Sequence, residues 1–458
     1  MARVKDPNSD ERVSTVKVGG WPAGMNNIQP AYALPEGALR DAANVDITDS
    51  GKLKRRKGFA RTYTGVGVHS FWSEGGYNLF AEGNSLKQLN ANMSSASTLV
   101  STLTQSVPVS YVLLNDEVYW SNGIVTGKLT RAGANMLWGI PVPAKPVGTP
   151  ITSGGMDAGI YQVAFTFVLA SGEEGGSDQS IAVTVPAGGG ILLTGLKPPA
   201  VAEIASLRVY VTAPNGETEY FYKDVPASTT SLAIAKSASP GHNLKTQGDY
   251  PFPPCDMLEY FRGHLFGAKD NVIWHSNPMR YRLCRMAENY IQLATDVTLL
   301  KAVPDGIFVS DAQTTYFFVE DNSMLDVTAL KVTKGKHFNL LPILPYPAIP
   351  GTAVKIANST DIAWFSTRGW VIGSAGGKVQ NLTEKHIMPA VYSSGACGFR
   401  EQDGVRQLVS SLTKQTQTNN LVATDYANAT IIRTMSKKYE SVSANGLLVS
   451  DSTNATVN

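Results

Sequence analysis

Along most of this chain, short runs of alternating apolar and polar residues are cut by Gly, Asn, Asp and Ser. That is the pattern of half-buried strands joined by tight turns. One arrangement recurs: a short apolar strand, a polar turn, then a second strand rich in aromatics. His69–Trp72, Ser73–Gly76 and Tyr77–Phe80 form the first instance. Tyr111–Leu114, Asn115–Glu117 and Val118–Trp120 form the second. Leu258–Phe261, His264–Phe266 and Val272–Trp274 give a third, and Gly306–Val309 with Thr315–Val319 a fourth. Ile362–Phe365, Trp370–Ile372 and Val379–Leu382 give a fifth; Val405–Leu412 with Leu421–Tyr426 is a sixth. Each unit spans on the order of 40 residues, the size of a propeller blade. One hairpin cannot bury its aromatic face alone, whereas successive blades bury each face on a neighbour. The expected fold is therefore all-β, with a β-propeller-like main domain; unrelated hairpins packed into a sandwich are the competing reading.

The spacing breaks between Trp138 and Pro254. Pro141–Pro146 reads as a stiff linker, and Pro251–Pro254 as a second one. Between them lie Ile160–Val168, Ile181–Val185, Ile191–Thr194, Ser206–Val211, Thr218–Tyr222 and Ser231–Ile234. Several strands so closely spaced suggest a small immunoglobulin- or fibronectin-like β-sandwich, inserted into a loop of the main domain.

Before the first repeat, residues 1–18 read as a polar arm, and Gly19–Asn27 as a rigid glycine-punctuated loop. Pro35–Asn44 predicts one short helix, with proline at its first position and Leu39, Ala42 and Ala43 on one face. A hairpin follows: Asn44–Ile47, the turn Thr48–Gly51, and a return strand Lys52–Phe59 anchored by Leu53. The domain boundaries are then 1–18 (arm), 19–140 (propeller, first part), 141–253 (inserted sandwich), 254–426 (propeller, second part) and 427–458 (polar C-terminal tail).

Composition sharpens this reading. Of 458 residues, 43% are hydrophobic, enough for a buried core over most of the length, and 17% are charged. The latter is below the usual quarter or so. With 39 basic and 37 acidic residues the net charge is +2, so no global basic field exists to hold nucleic acid. Cys255, Cys284 and Cys397 form no CxxC pair, and an odd count argues against a disulfide framework. They read as small buried apolar residues of a protein folded in a reducing compartment. The N-terminal residues lack the apolar core of a secretory signal. No apolar run is long enough to span a membrane.

The search for chemistry leaves one cluster. The six histidines include no i, i+4 pair; His264 and His275 flank a strand pair and read as hairpin-surface residues rather than metal ligands. There is no Gly-x-Ser-x-Gly elbow and no phosphate loop. Glu117, Asp256, Glu259, Asp305, Asp311, Glu320 and Asp321 are scattered, most of them in or beside turns, unlike the paired carboxylates of a glycosidase. No catalytic set, metal site or cofactor is expected, and the chain reads as a non-enzyme. The dense charge is Lys52, Lys54, Arg55, Arg56 and Lys57. It reads equally as an edge strand protected by charge and as a basic strip facing nucleic acid. In a strand, Lys52, Lys54 and Arg56 would share one face.

Met25–Asn27, Leu34–Asp46, Ser50–Leu53 and Arg55–Phe59 together resemble the opening of the tail nozzle proteins of short-tailed phages, also called tail hub or packaged-DNA stabilisation proteins. Met257–Phe266, Val272–Tyr281 and Glu288–Gln292 resemble that family's blade after its inserted domain. The resemblance runs from Gly19 to about Leu412; nothing beyond Lys414 takes part in it.

It implies a virion tail protein, assembled in the host cytoplasm as a homo-hexamer. It further implies attachment to a head–tail adaptor protein and to tail fibre, spike or needle proteins, and transient contact with genomic DNA in the channel. Two other classes remain open at this point. One is a carbohydrate-binding or carbohydrate-cleaving propeller; the other is a cellular protein-interaction propeller.

Overall fold

The computed structural model describes residues 20–43, 45–48, 50–56, 60–321, 337–402 and 405–414. The arm 1–18, the tail 427–458 and the expected strand at Leu421–Tyr426 lie outside them. Of the described residues, those up to 390 and 394–412 belong to one compact unit, and the core packing below is that of this unit.

The fold is all-β. Five sheets share one plan, a four-stranded antiparallel meander. Sheet I contains Val68–Glu74, Tyr77–Glu82, Ser85–Leu89 and Ala96–Val100. Sheet II contains Ser110–Leu114, Glu117–Ser121, Thr126–Leu129 and Asn135–Met136. Sheet III contains Met257–Phe261, His264–Lys269, Val272–His275 and Tyr290–Gln292. Sheet IV contains Leu299–Val303, Gly306–Ser310, Thr315–Asp321 and His337–Leu344, and sheet V Val354–Lys355, Ile362–Ser366, Gly369–Ser374 and Lys378–Asn381. A last two-stranded sheet pairs Tyr392–Gln402 with Val405–Lys414.

The turn residues set the registers. In sheets I, II and III the first hairpin closes on Gly75-Gly76, Asn115-Asp116 and Arg262-Gly263, and all six residues have positive φ. Two consecutive left-handed residues give the turn whose twist matches that of the flanking strands.

Strand alternation then sends each face into a different core. On sheet II, Tyr111, Val118 and Trp120 join Leu79 and Leu86 of sheet I, while Val112, Leu114 and Tyr119 join Leu258 and Leu265 of sheet III. On sheet IV, Ile307, Val309 and Phe318 meet Phe266 of sheet III, while Phe308 and Phe317 meet Trp364 and Val371 of sheet V. Consecutive sheets thus stack face on face through successive apolar layers, as propeller blades do.

Residues 147–234 form two facing sheets. One orders Val147–Met156, Gly189–Thr194 and Ser231–Ile234; the other orders Ile181–Val185, Gly159–Leu169, Ile204–Val211 and Tyr220–Pro226. Tyr161, Val163, Phe165, Phe167 and Leu169 alternate along the longest strand into a core shared with Ile191, Leu193, Leu207 and Val209. This is a seven-stranded sandwich, immunoglobulin-like in its three-plus-four layering and with its own strand order. The second strand pairs with the third and fifth, whereas the constant immunoglobulin arrangement orders A-B-E-D.

The expected helix over Pro35–Asn44 does not form. Gly37 has φ 76° and closes a turn in which the Ala38 amide donates to the Pro35 carbonyl at 3.1 Å. A left-handed residue there is incompatible with a right-handed helix. The local structure is a one-turn 3-10 helix at Ala31–Ala33 and a short strand, Ala38–Leu39, parallel to Gly24–Met25.

Candidate functional site

The segments that carry the family resemblance meet around one proline. A Cβ on Gly37 would stand 2.9 Å from Pro22 Cδ, and one on Gly51 2.9 Å from Pro22 N, so only glycine allows both loops to close on Pro22. The Trp21 amide donates to the Gly51 carbonyl, and Ala23 to that of Gly37 at 3.0 Å. Asn26 is buried, and its Oδ1 accepts from the Ile28 and Gln29 amides. Asn27 reaches far along the chain: its amide donates to His386 O at 3.0 Å, and its side chain pairs with both backbone groups of Met388.

The basic hairpin hangs from this clasp. Val45–Ile47 pairs with Leu53–Arg55, and Thr48 Oγ1 accepts from the Lys52 amide to close the turn. Lys52, Lys54 and Arg55 are exposed, Arg56 is half-buried, and Lys57 lies outside the described residues. The strand is shorter than expected and ends at Arg55, so Lys52 and Arg56 flank it and only Lys54 occupies the face assigned to all three. Lys54 stands opposite Asp46, whose carboxylate is also 3.9 Å from Arg400 Nη2, so acid tempers the strip. Leu53, expected as an apolar anchor, is 43% exposed.

The second resembling stretch builds sheet III and the joint that receives the sandwich. Arg282, 5% exposed, donates to the carbonyls of Leu137 and Trp138 and pairs with Glu173 at 2.8 Å. Asp249, 1% exposed, binds Arg285 at 3.1 Å and Asn277 Nδ2 at 2.8 Å. Trp138 stacks on Phe252 at 5.2 Å and donates to Tyr281 O. The prolines flanking the sandwich are therefore reinforced by a buried polar lock that fixes how it is carried.

Other expected features take different places. His264 and His275 are buried, not on the hairpin surface; their rings lie 5.4 Å apart and both Nδ1 atoms contact Ser276 O. Among the described residues, no cluster of three or more His, Cys, Asp or Glu could hold a metal, and no helix is long and apolar enough to cross a membrane. Cys255 and Cys284 are buried, and burial pushes the Cys284 thiol up to about 12, out of the reactive range.

One arrangement went unseen in the sequence. Glu259, Lys301 and Lys355 sit on the first strands of sheets III, IV and V, opposite Phe266, Phe308 and Ile362 respectively. Glu259 is 3% exposed and holds Lys301 at 2.9 Å and Lys355 at 3.9 Å. Beside them the three hairpin ends enclose a cleft of about 350 Å³, reached also by Tyr260, Arg262 and Asp361. The only local signal was a charged residue inside each of three apolar strands; their meeting depends on register between sheets.

No family model and no curated protein matches this chain. Among solved structures, the extracellular domain of a hybrid two-component system from B. thetaiotaomicron is similar at TM-score 0.30 and 8% identity, covering 78% of this chain and 40% of that one. BBS1N, solved in complex with ARL6DN, matches at TM-score 0.29 and 12% identity, covering 75% of this chain and 87% of that one. The N-terminal domain of Nup159 matches at TM-score 0.26 and 9% identity, covering 75% and 73%. Scores this low do not establish a shared fold, and no function passes from these proteins to this chain.

Proposed function

We propose that this chain is a structural subunit of the tail nozzle of a short-tailed phage. Six copies form a tube below the head–tail adaptor. The tube retains packaged DNA, conducts it at ejection and anchors fibres or a needle. The observation that supports this most is that the glycine-punctuated loop ending in Met25–Asn27 and the family-like stretches Leu34–Asp46 and Ser50–Leu53 meet at Pro22, through Gly37 and Gly51, in one clasp that holds a basic hairpin in solvent.

A conduit must let DNA slide, so its wall should touch phosphate weakly. Each phosphate neutralised adds a salt-dependent increment to binding, and a strongly basic wall would trap the duplex. A near-neutral chain with one short strip, tempered by Asp46, suits a sliding surface; six strips around an axis make a shallow charged ring.

Cryo-electron microscopy of the tail tests the reading directly. Density for this chain around the channel is expected; density away from it, or none, sinks the proposal. The strip has its own test. Replacing Lys52, Lys54 and Arg56 by Ala should alter genome retention or ejection in reconstituted particles. Unchanged retention and ejection would leave the charges only the role of protecting an exposed edge.

A further inference from the structure

The stack of sheets has two end faces, and both carry buried side chains. On sheet I, Phe80 alternates with Leu79 and Ala81 and so points away from sheet II, yet it is buried and has Tyr63 edge-on at 5.1 Å. On sheet V, Ala363 and Phe365 alternate with Ile362 and Trp364 and so point away from sheet IV, yet both are buried. Among the described residues no further meander precedes sheet I or follows sheet V. Segments outside the meanders therefore cover these faces.

Three sets of contacts tie those segments together. After the last strand of sheet V, Thr383 Oγ1 accepts from the Trp370 amide, and Thr383 O accepts from the amides of His386 and Ile387. Asn27 of the clasp then binds His386 and Met388, the latter 361 positions away in sequence. The terminal hairpin supplies the second tie. The Gly395 amide donates to Pro350 O at 2.9 Å, and Arg406 Nη2 to Ala357 O at 3.2 Å, on either side of the first strand of sheet V. Arg400 of the same hairpin faces Asp46 of the clasp at 3.9 Å. The third tie is the passage from clasp to sheet I, where Tyr63 Oη and the Val66 amide donate to Glu82.

These ties are polar and individually modest. The layers between sheets are broad and apolar, so the joint between sheets V and I opens at a lower cost than the stack.

We propose that the clasp, residues 383–388 and the terminal hairpin, 394–402 with 405–412, form one latch joining sheet V to sheet I. The latch opens as a unit while the five sheets stay stacked, and opening uncovers Phe80, Ala363 and Phe365. Asn27 is its centre, because its amide and both ends of its side chain engage residues that follow sheet V. The inference does not rest on the nozzle reading.

Native-state hydrogen exchange on the full chain tests this. Asn27→Ala removes both side-chain bonds to Met388 and touches no group of the hairpin. The Gly395 amide should nevertheless exchange about tenfold faster or more, the scale set by two lost hydrogen bonds. The Phe266 and Phe308 amides, on central strands of sheets III and IV, should keep their rates. A second variant works from the other side. A Cβ on Gly351 would collide with the Gly395 carbonyl, so Gly351→Ala displaces the hairpin. The Asn27 amide, bonded to His386 O, should then exchange faster as well. Acceleration confined to Met388 in the first variant, or an unchanged Asn27 amide in the second, would show that clasp and hairpin move independently. Equal acceleration of Phe266 and Phe308 in Asn27→Ala would show that no separate latch exists. Each of these results would overturn the proposal.

Discussion

The stacked sheets and the N-terminal clasp are stabilised in opposite ways. Each inner sheet buries both faces: Tyr119 and Trp120 of sheet II, Leu265 and Phe266 of sheet III, and Ile307 and Phe308 of sheet IV are at most 6% exposed. From residue 20 to 56 only Asn26, Ala38 and Gly51 are buried among the described residues. The clasp relies on backbone hydrogen bonds, glycines closed on Pro22 and a two-stranded hairpin, an element marginal by itself in water. The sheets derive cohesion from apolar area, which is strong and indifferent to detail. The clasp derives it from shape, which is weak and specific. The clasp buries little apolar surface. Its sequence therefore reflects backbone geometry and exposed groups rather than packing.

The largest expected effect breaks the first half of this contrast. Phe308 touches Phe317 at 5.0 Å and Trp364 at 5.3 Å between sheets IV and V. Phe308→Ala should destabilise by about 3–5 kcal/mol through lost transfer and an unfilled cavity. Urea unfolding at unchanged slope measures it. A loss below about 1 kcal/mol would mean that the sheets do not depend on stacking, since only surface-like sites are that tolerant.

How far the sequence disclosed this contrast follows from range. Hairpins such as 111–120 and 258–266 were readable because Asn115-Asp116 and Arg262-Gly263 name their turns locally. The sandwich strand Val147–Met156 was not, since Pro150, Gly154 and Gly155 disguise an edge strand that tolerates them. Tyr392–Gln402 was missed for a similar reason, its pattern broken by Gly395 and Gly398. Pro35–Asn44 mimicked a helix by its apolar spacing, and Gly37 overruled it. The basic hairpin was placed correctly, but its length and the opposing Asp46 were not. Glu259 could not be assigned, because what distinguishes it is its alignment with lysines on two other sheets. Charge inside an apolar strand was the one hint, and alone it says nothing about a partner.

A middle-sized effect breaks the second half. Gly37→Val would force a β-branched residue to φ 76° with its Cβ 2.9 Å from Pro22. The backbone alone costs about 1–2 kcal/mol. Because the clasp shares little core with the sheets, this cost should be local. Hydrogen exchange at the Ala23 and Asn26 amides, bonded to the Gly37 and Leu39 carbonyls, should accelerate while the main urea transition stays put. A matching fall of the global transition would show that clasp and sheets unfold as one.

The smallest effect sharpens where one region gives way to the other. Tyr63 and Val66 belong to the segment leading from the clasp into sheet I, and both are tied to Glu82. Its carboxylate accepts from Lys87 at 2.7 Å, from Tyr63 Oη at 2.8 Å and from the Val66 amide at 2.9 Å. Hydrogen bonding by Lys87, then by Tyr63, then by the Val66 amide, lowers the Glu82 pKa from 4.5 to about 2. A depressed carboxylate stabilises fully above its unfolded value and progressively less as pH falls towards its folded one. The tie should therefore hold at pH 5 and above and loosen between about 4.5 and 2. Tyr63 packs edge-on against Phe80 at 5.1 Å, so its ring resonances report the change. Glu82→Gln should leave those resonances flat over the same range. If the wild type is equally flat, Glu82 does not pin the junction, and the boundary lies nearer Val68.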